Sequence, residues 1–254
     1  MRRFFYTCLL LFASFILVPQ VVQAQFLKKT ETSKVPERGL VLQVGGGIGA
    51  ARSTICSGWG CNRIGPAVSM GALYKLSSQW GIGATVGYVR LGASESAPEH
   101  PLNVSFQTDV LEVSGKIQFN LLDSYVGSGN YRSSRKRFMV PYLTAGIGLI
   151  SYTATSFPGQ GKLNTAQTTY APARDYPAVA AVMPLGGGVR LRFTDELSLT
   201  PEFLYYLTNT DYLDNMAGSA SGSKQRDGYG VVLLRFLYTP AVANRIFSQK
   251  EASH

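Results

Sequence analysis

Residues 196–208 read ELSLTPEFLYYLT, and the character of the side chain changes at almost every step. Leu197, Leu199, Pro201, Phe203, Tyr205 and Leu207 fall on one side, and Ser198, Thr200, Glu202, Leu204, Tyr206 and Thr208 on the other. A period of two is the repeat of an extended strand, whose successive side chains point to opposite faces. The pattern recurs in eight segments, at 39–51, 63–76, 79–92, 105–121, 138–154, 181–193, 196–208 and 228–239. In the fourth, Leu111, Val113, Ile117 and Phe119 oppose Glu112, Ser114, Lys116, Gln118 and Asn120. The sixth sets Leu185, Val189, Leu191 and Phe193 against Arg190 and Arg192, and the eighth sets Val232, Leu234, Phe236 and Tyr238 against Arg235. No helical period competes.

Alternation alone does not separate a soluble two-sheet sandwich or lipocalin-like barrel from a membrane barrel. Three features favour the membrane barrel. Each segment reaches the roughly 9–11 residues a tilted strand needs to cross a bilayer. Aromatic residues (Tyr74, Trp80, Tyr88, Phe138, Tyr142, Phe193, Tyr238) crowd the segment ends, where an interfacial girdle would lie. The connections also alternate: Ser77-Ser78 and Thr194-Asp195 are tight, whereas the loops after the first, third, fifth and seventh segments are long. The expectation is an all-β, eight-stranded antiparallel transmembrane β-barrel of OmpA/OmpX-like architecture over residues 39–239.

The ends of the chain fit export. Arg2 and Arg3 precede an apolar run from Cys8 to Val18 that is too short to span a bilayer, and Val22-Gln23-Ala24 offers a cleavage site. Residues 1–24 therefore read as a cleaved signal peptide. Residues 25–38 and 240–254 read as periplasmic segments, with both termini of the barrel periplasmic. Cys56 and Cys61 then remain, and in an oxidising compartment they read as one local disulfide. Loss of Arg2 and Arg3 leaves 22 of the 24 Lys+Arg against 15 Asp+Glu. That modest positive balance fits acidic neighbours such as outer-membrane lipid and lipopolysaccharide, and no basic stripe with interleaved aromatics points to nucleic acid.

One stretch invites a different reading. Gly45, Gly47 and Ala50 in VLQVGGGIGAARST match a dinucleotide-binding fingerprint. That fingerprint needs a following helix and an acidic residue about 20 positions on. Neither is present, since no Asp or Glu occurs from Arg38 to Ser94. The same G-x-G theme recurs at Gly81–Gly83, Gly146–Gly148 and Gly186–Gly188. These glycines read as small inward positions that leave room for large neighbours and let the sheet curve.

The interior of an eight-stranded barrel is just wide enough for side chains to fill it. Lys75, Glu112, Lys116, Arg190, Arg192, Glu202 and Arg235 belong to the inward set and read as a lumenal ion-pair network, with a proton or solute path as the alternative. No catalytic, cofactor-binding or metal residues are assigned. His100, between Pro98 and Pro101, and the terminal His254 are the only histidines, a poor basis for a lipid-modifying enzyme. Asp211 and Asp214 in TDYLDN lack a full calcium-loop pattern and read as turn or capping carboxylates. Residues 122–137 carry Arg132, Arg135, Lys136 and Arg137 on the short-turn side, either as a solvated basic loop or as a docking surface for a periplasmic partner.

Three elements resemble the PorG-like family of Bacteroidetes outer-membrane barrels. They are Phe106, Thr108, Asp109 and Glu112; Pro141, Tyr142, Ala145, Gly146, Ile147 and Gly148; and Pro184, Gly186, Gly188 and Glu202 followed by Thr210, Asp211, Tyr212, Leu213 and Asp214. The resemblance implies an outer-membrane barrel. It further implies a place in the type IX secretion system, anchoring a periplasmic ring of PorK-like and PorN-like proteins. Alternatives from other classes are a structural or adhesin-like barrel acting through its loops, and a narrow pore.

Overall fold

The computed structural model describes residues 39–53, 56, 60–95, 103–124, 137–161, 163–166, 168–215 and 227–240. The signal-peptide and terminal-segment assignments, His100, His254, Arg132, Arg135 and Lys136 lie outside these residues. Eight long strands build the molecule: β1 (Gly39–Arg52), β3 (Gly65–Lys75), β4 (Trp80–Ser94), β5 (Val104–Asn120), β6 (Met139–Pro158), β7 (Ala178–Arg192), β8 (Leu197–Thr208) and β9 (Gly228–Tyr238). A two-residue strand, β2 (Asn62–Arg63), pairs with the far end of β4.

Every long strand pairs antiparallel with its neighbours in sequence, and β1 with β9 closes the ring. One circuit of the registers shows the stagger. Gly39 pairs with Lys75, which faces Gly81, then Gln118, Thr144, Gly186, Leu204 and Val231 in turn. Val231 pairs with Gly49, so the path returns to β1 ten residues beyond its start. A stagger of that kind tilts the strands and closes a sheet into a narrow barrel.

The predicted faces are the observed ones. The apolar side of each strand is outside, where Leu111, Val113, Ile117, Phe203, Val232, Leu234 and Phe236 are exposed. The polar side is inside. β1 runs unbroken through the glycine cluster, so no helix follows to meet a pyrophosphate. A soluble sandwich or lipocalin-like barrel would place its apolar residues inside; here they form a continuous exterior belt.

The ends differ from expectation. β6 extends to Pro158 and β7 begins at Ala178, several residues beyond the sequence boundaries. β4, β5 and β6 therefore stand above the belt at the long-loop end, paired as far as Ser94 with Ser105 and Val104 with Pro158. Tyr142 corrects the girdle: it points inward and is only 4% exposed. Trp80, Phe138, Phe193 and Tyr238 do form an exposed ring at the short-turn end, with Trp80 packed on Phe119 (4.7 Å) and Phe138 on Phe193 (6.2 Å).

Candidate functional site: a filled lumen and its cap

The inward side chains fall into two layers. Toward the short-turn end lie the charged residues, and all seven of the proposed network point into the lumen. Arg235 Nε stands 2.6 Å from Glu202 Oε2, and Arg235 Nη1 donates to Gln43 Oε1 at 3.2 Å. Lys116 Nζ is 3.8 Å from Glu112 Oε1 and lies over the Tyr206 ring. Ser114 Oγ also donates to Glu112 Oε1. Tyr142, absent from the sequence reading of the network, hydrogen bonds Glu202, and Tyr206 hydrogen bonds Glu112. Lys75, Arg190 and Arg192 have interaction partners of their own. Five cations against two carboxylates leave this layer positive.

The glycines explain how such bulk fits. Lys116 is flanked in register by Gly83 and Gly146, Glu112 by Gly87, Arg235 by Gly45, and Tyr142 by Gly188. A Cβ on Gly146 would meet Lys116 Cγ at 2.9 Å, and one on Gly188 would meet the Tyr142 hydroxyl at 2.8 Å. Large and small positions thus alternate around the ring.

Toward the long-loop end the lumen is an apolar core, which the alternation did not foretell. Leu91, Phe106, Val110, Ile150, Tyr152, Leu204, Tyr229 and Val231 fill it, and Tyr206 stacks on Tyr229 at 4.4 Å. The TDYLDN turn folds down over this core. Leu213 is 1% exposed, and its carbonyl accepts a hydrogen bond from Thr108 Oγ1. Two elements of the family resemblance, distant in sequence, therefore meet at the barrel mouth. Asn215, at φ 59°, ties the turn to its surroundings. Its amide nitrogen donates to Ser156 Oγ (2.9 Å), and its oxygen accepts from Ala173 N and the Tyr176 hydroxyl.

Asp227 closes the cap. Its Oδ2 accepts the Leu213 N–H at 2.9 Å, while its backbone joins Thr208 and Thr210. Burial, then the nearby Asp214, push its carboxyl up to about 8, against the Leu213 hydrogen bond. Burial also raises Asp211. Asp211 and Asp214 are thus part of the cap, and among the described residues no group of three His, Cys, Asp or Glu side chains is arranged to hold a metal.

The remaining candidates are scattered. Asp109 faces outward just above the belt, accepting from Tyr88 OH (2.6 Å) and Arg90 Nε (2.7 Å). Arg137 donates its backbone N–H to Ser124 O and sits at the short-turn end. Cys56 and Cys61 are bonded, with Cys56 buried in the apolar core.

The fold and its filled interior define a class: a closed, up-and-down β-barrel whose exterior is apolar and whose lumen is packed. Comparison with known proteins adds the following. No protein-family model and no curated protein sequence matches the chain. Among solved structures the chain is similar to Neisserial surface protein A, with 14% identity and a TM-score of 0.46 over 80% of this chain and 97% of that one. It is also similar to Ail, the attachment invasion locus protein of Yersinia pestis (12%, TM-score 0.44, 80% and 99%). A major outer membrane protein from Thermus thermophilus is a third (10%, TM-score 0.43, 79% and 99%).

Proposed function

We propose that this protein is an integral outer-membrane barrel that works as a fixed, non-conducting and non-catalytic platform. One observation carries the reading: a belt of exposed apolar side chains surrounds a lumen in which the described inward side chains pack as a charged layer and an apolar core. The belt suits hydrocarbon, and packing of this kind among the described inward residues suits a barrel that does not conduct. Function then resides at the two ends. The loop end presents a folded cap, and the short-turn end presents Ser124 and Arg137, the described residues that flank the rest of the 122–137 connection. With the long-loop end outside the cell, both barrel termini are periplasmic.

The finer reading is an anchor for the type IX secretion ring of PorK-like and PorN-like proteins. Its support is the resemblance already described. Arg137, the described member of the basic group, stands at the end opposite the cap.

Two experiments test these readings. In planar bilayers the purified barrel is expected to give no steady conductance; a reproducible open level would overturn the sealed platform. In pull-downs from solubilised membranes, ring proteins should accompany the wild type and be lost when Arg132, Arg135, Lys136 and Arg137 become Ser. An unchanged secretome after deletion of the gene would sink the secretion role.

A further inference from the structure

Where the charged layer meets the apolar core, one inward position on β4 has no side chain. Gly87 lies in register between Ser69 of β3 and Glu112 of β5. A Cβ placed on Gly87 would stand 3.4 Å from Glu112 Oε2 and 3.7 Å from Ser69 Cβ. The glycine thus leaves a gap between a hydroxyl side chain and a carboxylate. A cavity of about 10 Å3 lies there, lined by Ser69, Gly87 and Glu112 and by Tyr206 and Tyr229 from β8 and β9. That is about the room a single water needs.

The polar lining is incompletely bonded. Ser69 Oγ and the Tyr229 hydroxyl are shielded from solvent, and neither has a hydrogen-bond partner among the described residues. Tyr229 is 0% exposed, and its ring stacks on Tyr206 with the two planes 8° apart. The Tyr206 hydroxyl bonds Glu112, and Glu112 is close enough to act on the Tyr229 hydroxyl as well. Glu112 Oε1 accepts from Ser114 Oγ and faces Lys116 Nζ, which leaves Oε2 as the oxygen nearest the gap. Buried hydroxyls are costly to leave unbonded, and native structures leave few of them so.

We propose that this cavity is a binding site for one structural water. The water donates to Glu112 Oε2, accepts from the Tyr229 hydroxyl and bonds Ser69 Oγ, three hydrogen bonds in all, as is usual for a buried water. The charge of the surroundings selects a neutral occupant. A cation would join a layer that already sets five cations against two carboxylates, and an anion would meet Glu112 itself. A hydroxyl both donates and accepts whereas a carboxylate only accepts, so a small molecule that does both satisfies the whole lining. The bound water ties β3 and β9 to the carboxylate that faces Lys116, and so joins the two layers of the lumen. The site requires the closed lumen alone and is independent of the platform and partner readings.

The test compares variants of the refolded barrel in detergent micelles by urea unfolding. Gly87→Ala should displace the water without replacing its bonds and raise the unfolding constant about tenfold. Gly87→Ser brings a hydroxyl to the same place and should recover most of that loss. If Gly87 were only room for Glu112, the larger Ser would be no better than Ala, and that result overturns the water. Tyr229→Phe is nearly isosteric and keeps the test open if the Gly87 variants do not fold. Loss of a water-bonded hydroxyl there should raise the unfolding constant about fivefold. A fall, as expected when an unbonded buried hydroxyl is removed, overturns the site. Magnetic relaxation dispersion of water deuterons, which counts long-lived bound waters, should find one fewer in Gly87→Ser than in the wild type; equal counts also overturn it.

Discussion

Gly45 of β1 and Arg235 of β9 face each other in register inside the lumen, and a Cβ on the glycine would stand 2.7 Å from Arg235 Cγ. Next to it, Gly46 points outward, where the nearest atom to such a Cβ is 4.0 Å away. The pair makes an internal control for the role of glycine in this wall.

Gly45→Ala should destabilise the barrel by about 1–3 kcal/mol, the usual range for overpacking. Gly46→Ala should be neutral or slightly stabilising, since it adds a side chain in open space and removes glycine's entropy cost. Urea unfolding in detergent micelles, followed by the heat-dependent gel shift of the folded barrel, measures both. Equal effects at the two positions would refute the assignment of Gly45 as space for Arg235.

Glu202 and Arg235 are both almost fully buried and 2.6 Å apart. Removing one charge strands the other, which typically costs about 3–5 kcal/mol. Glu202→Gln should therefore be strongly destabilising, and the double variant Glu202→Gln/Arg235→Met should recover most of the loss. A double-mutant cycle of unfolding free energies gives the coupling directly. A coupling near zero would show that Gln43 and Tyr142 satisfy these side chains without the ion pair.

Asp227 gives the cap a pH dependence of known sign. Its carboxyl sits at about 8 in the fold against 3.8 for the unperturbed group. The folded state therefore holds a proton that the unfolded chain releases. Its contribution to stability is fully present below about pH 4 and is lost as pH rises toward 8. Hydrogen exchange of the Leu213 amide, which Asp227 accepts, should show more opening at pH 9 than at pH 6 beyond the intrinsic rate change. In Asp227→Asn this extra opening should vanish.

The strands and their faces were legible because a barrel wall obeys one rule at every residue. From Leu197 to Thr208 successive side chains take opposite faces, with Leu204 and Tyr206 the non-conforming members of the inward set, and a register slip would turn Phe203 inward and Glu202 into lipid. The charged layer was legible for the same reason. Tyr142 was misread because proximity to a strand end says nothing about face; its even-numbered place alongside Thr144 and Gly146 in β6 was the available signal. The cap was not legible. Thr108 and Leu213 are brought together by closure of the barrel, Asp227 joins Leu213 from the start of β9, and Ser156 of β6 holds Asn215 of the same turn. No period connects such residues; the family resemblance marked Thr108 and Leu213, but not that they meet. The apolar loop-side core was hidden because Leu204 and Val231 occupy inward positions that elsewhere carry polar side chains.

Cys56 and Cys61 separate the cap from the wall in a testable way. Their bond closes a loop of only a few residues, for which chain entropy gives about 2 kcal/mol. Cys56 is 1% exposed and belongs to the loop-side apolar core, whereas the charged layer lies toward the other end of the lumen. Changing both cysteines to Ser should thus loosen the loop-side core, seen as faster proteolysis at residues 53–64 and weaker amide protection at Ala93 and Ser94. Protection of Lys116 and Arg235 amides should stay as in the wild type. Loss of protection at both ends together would mean that the barrel unfolds as one cooperative unit, with no separable cap.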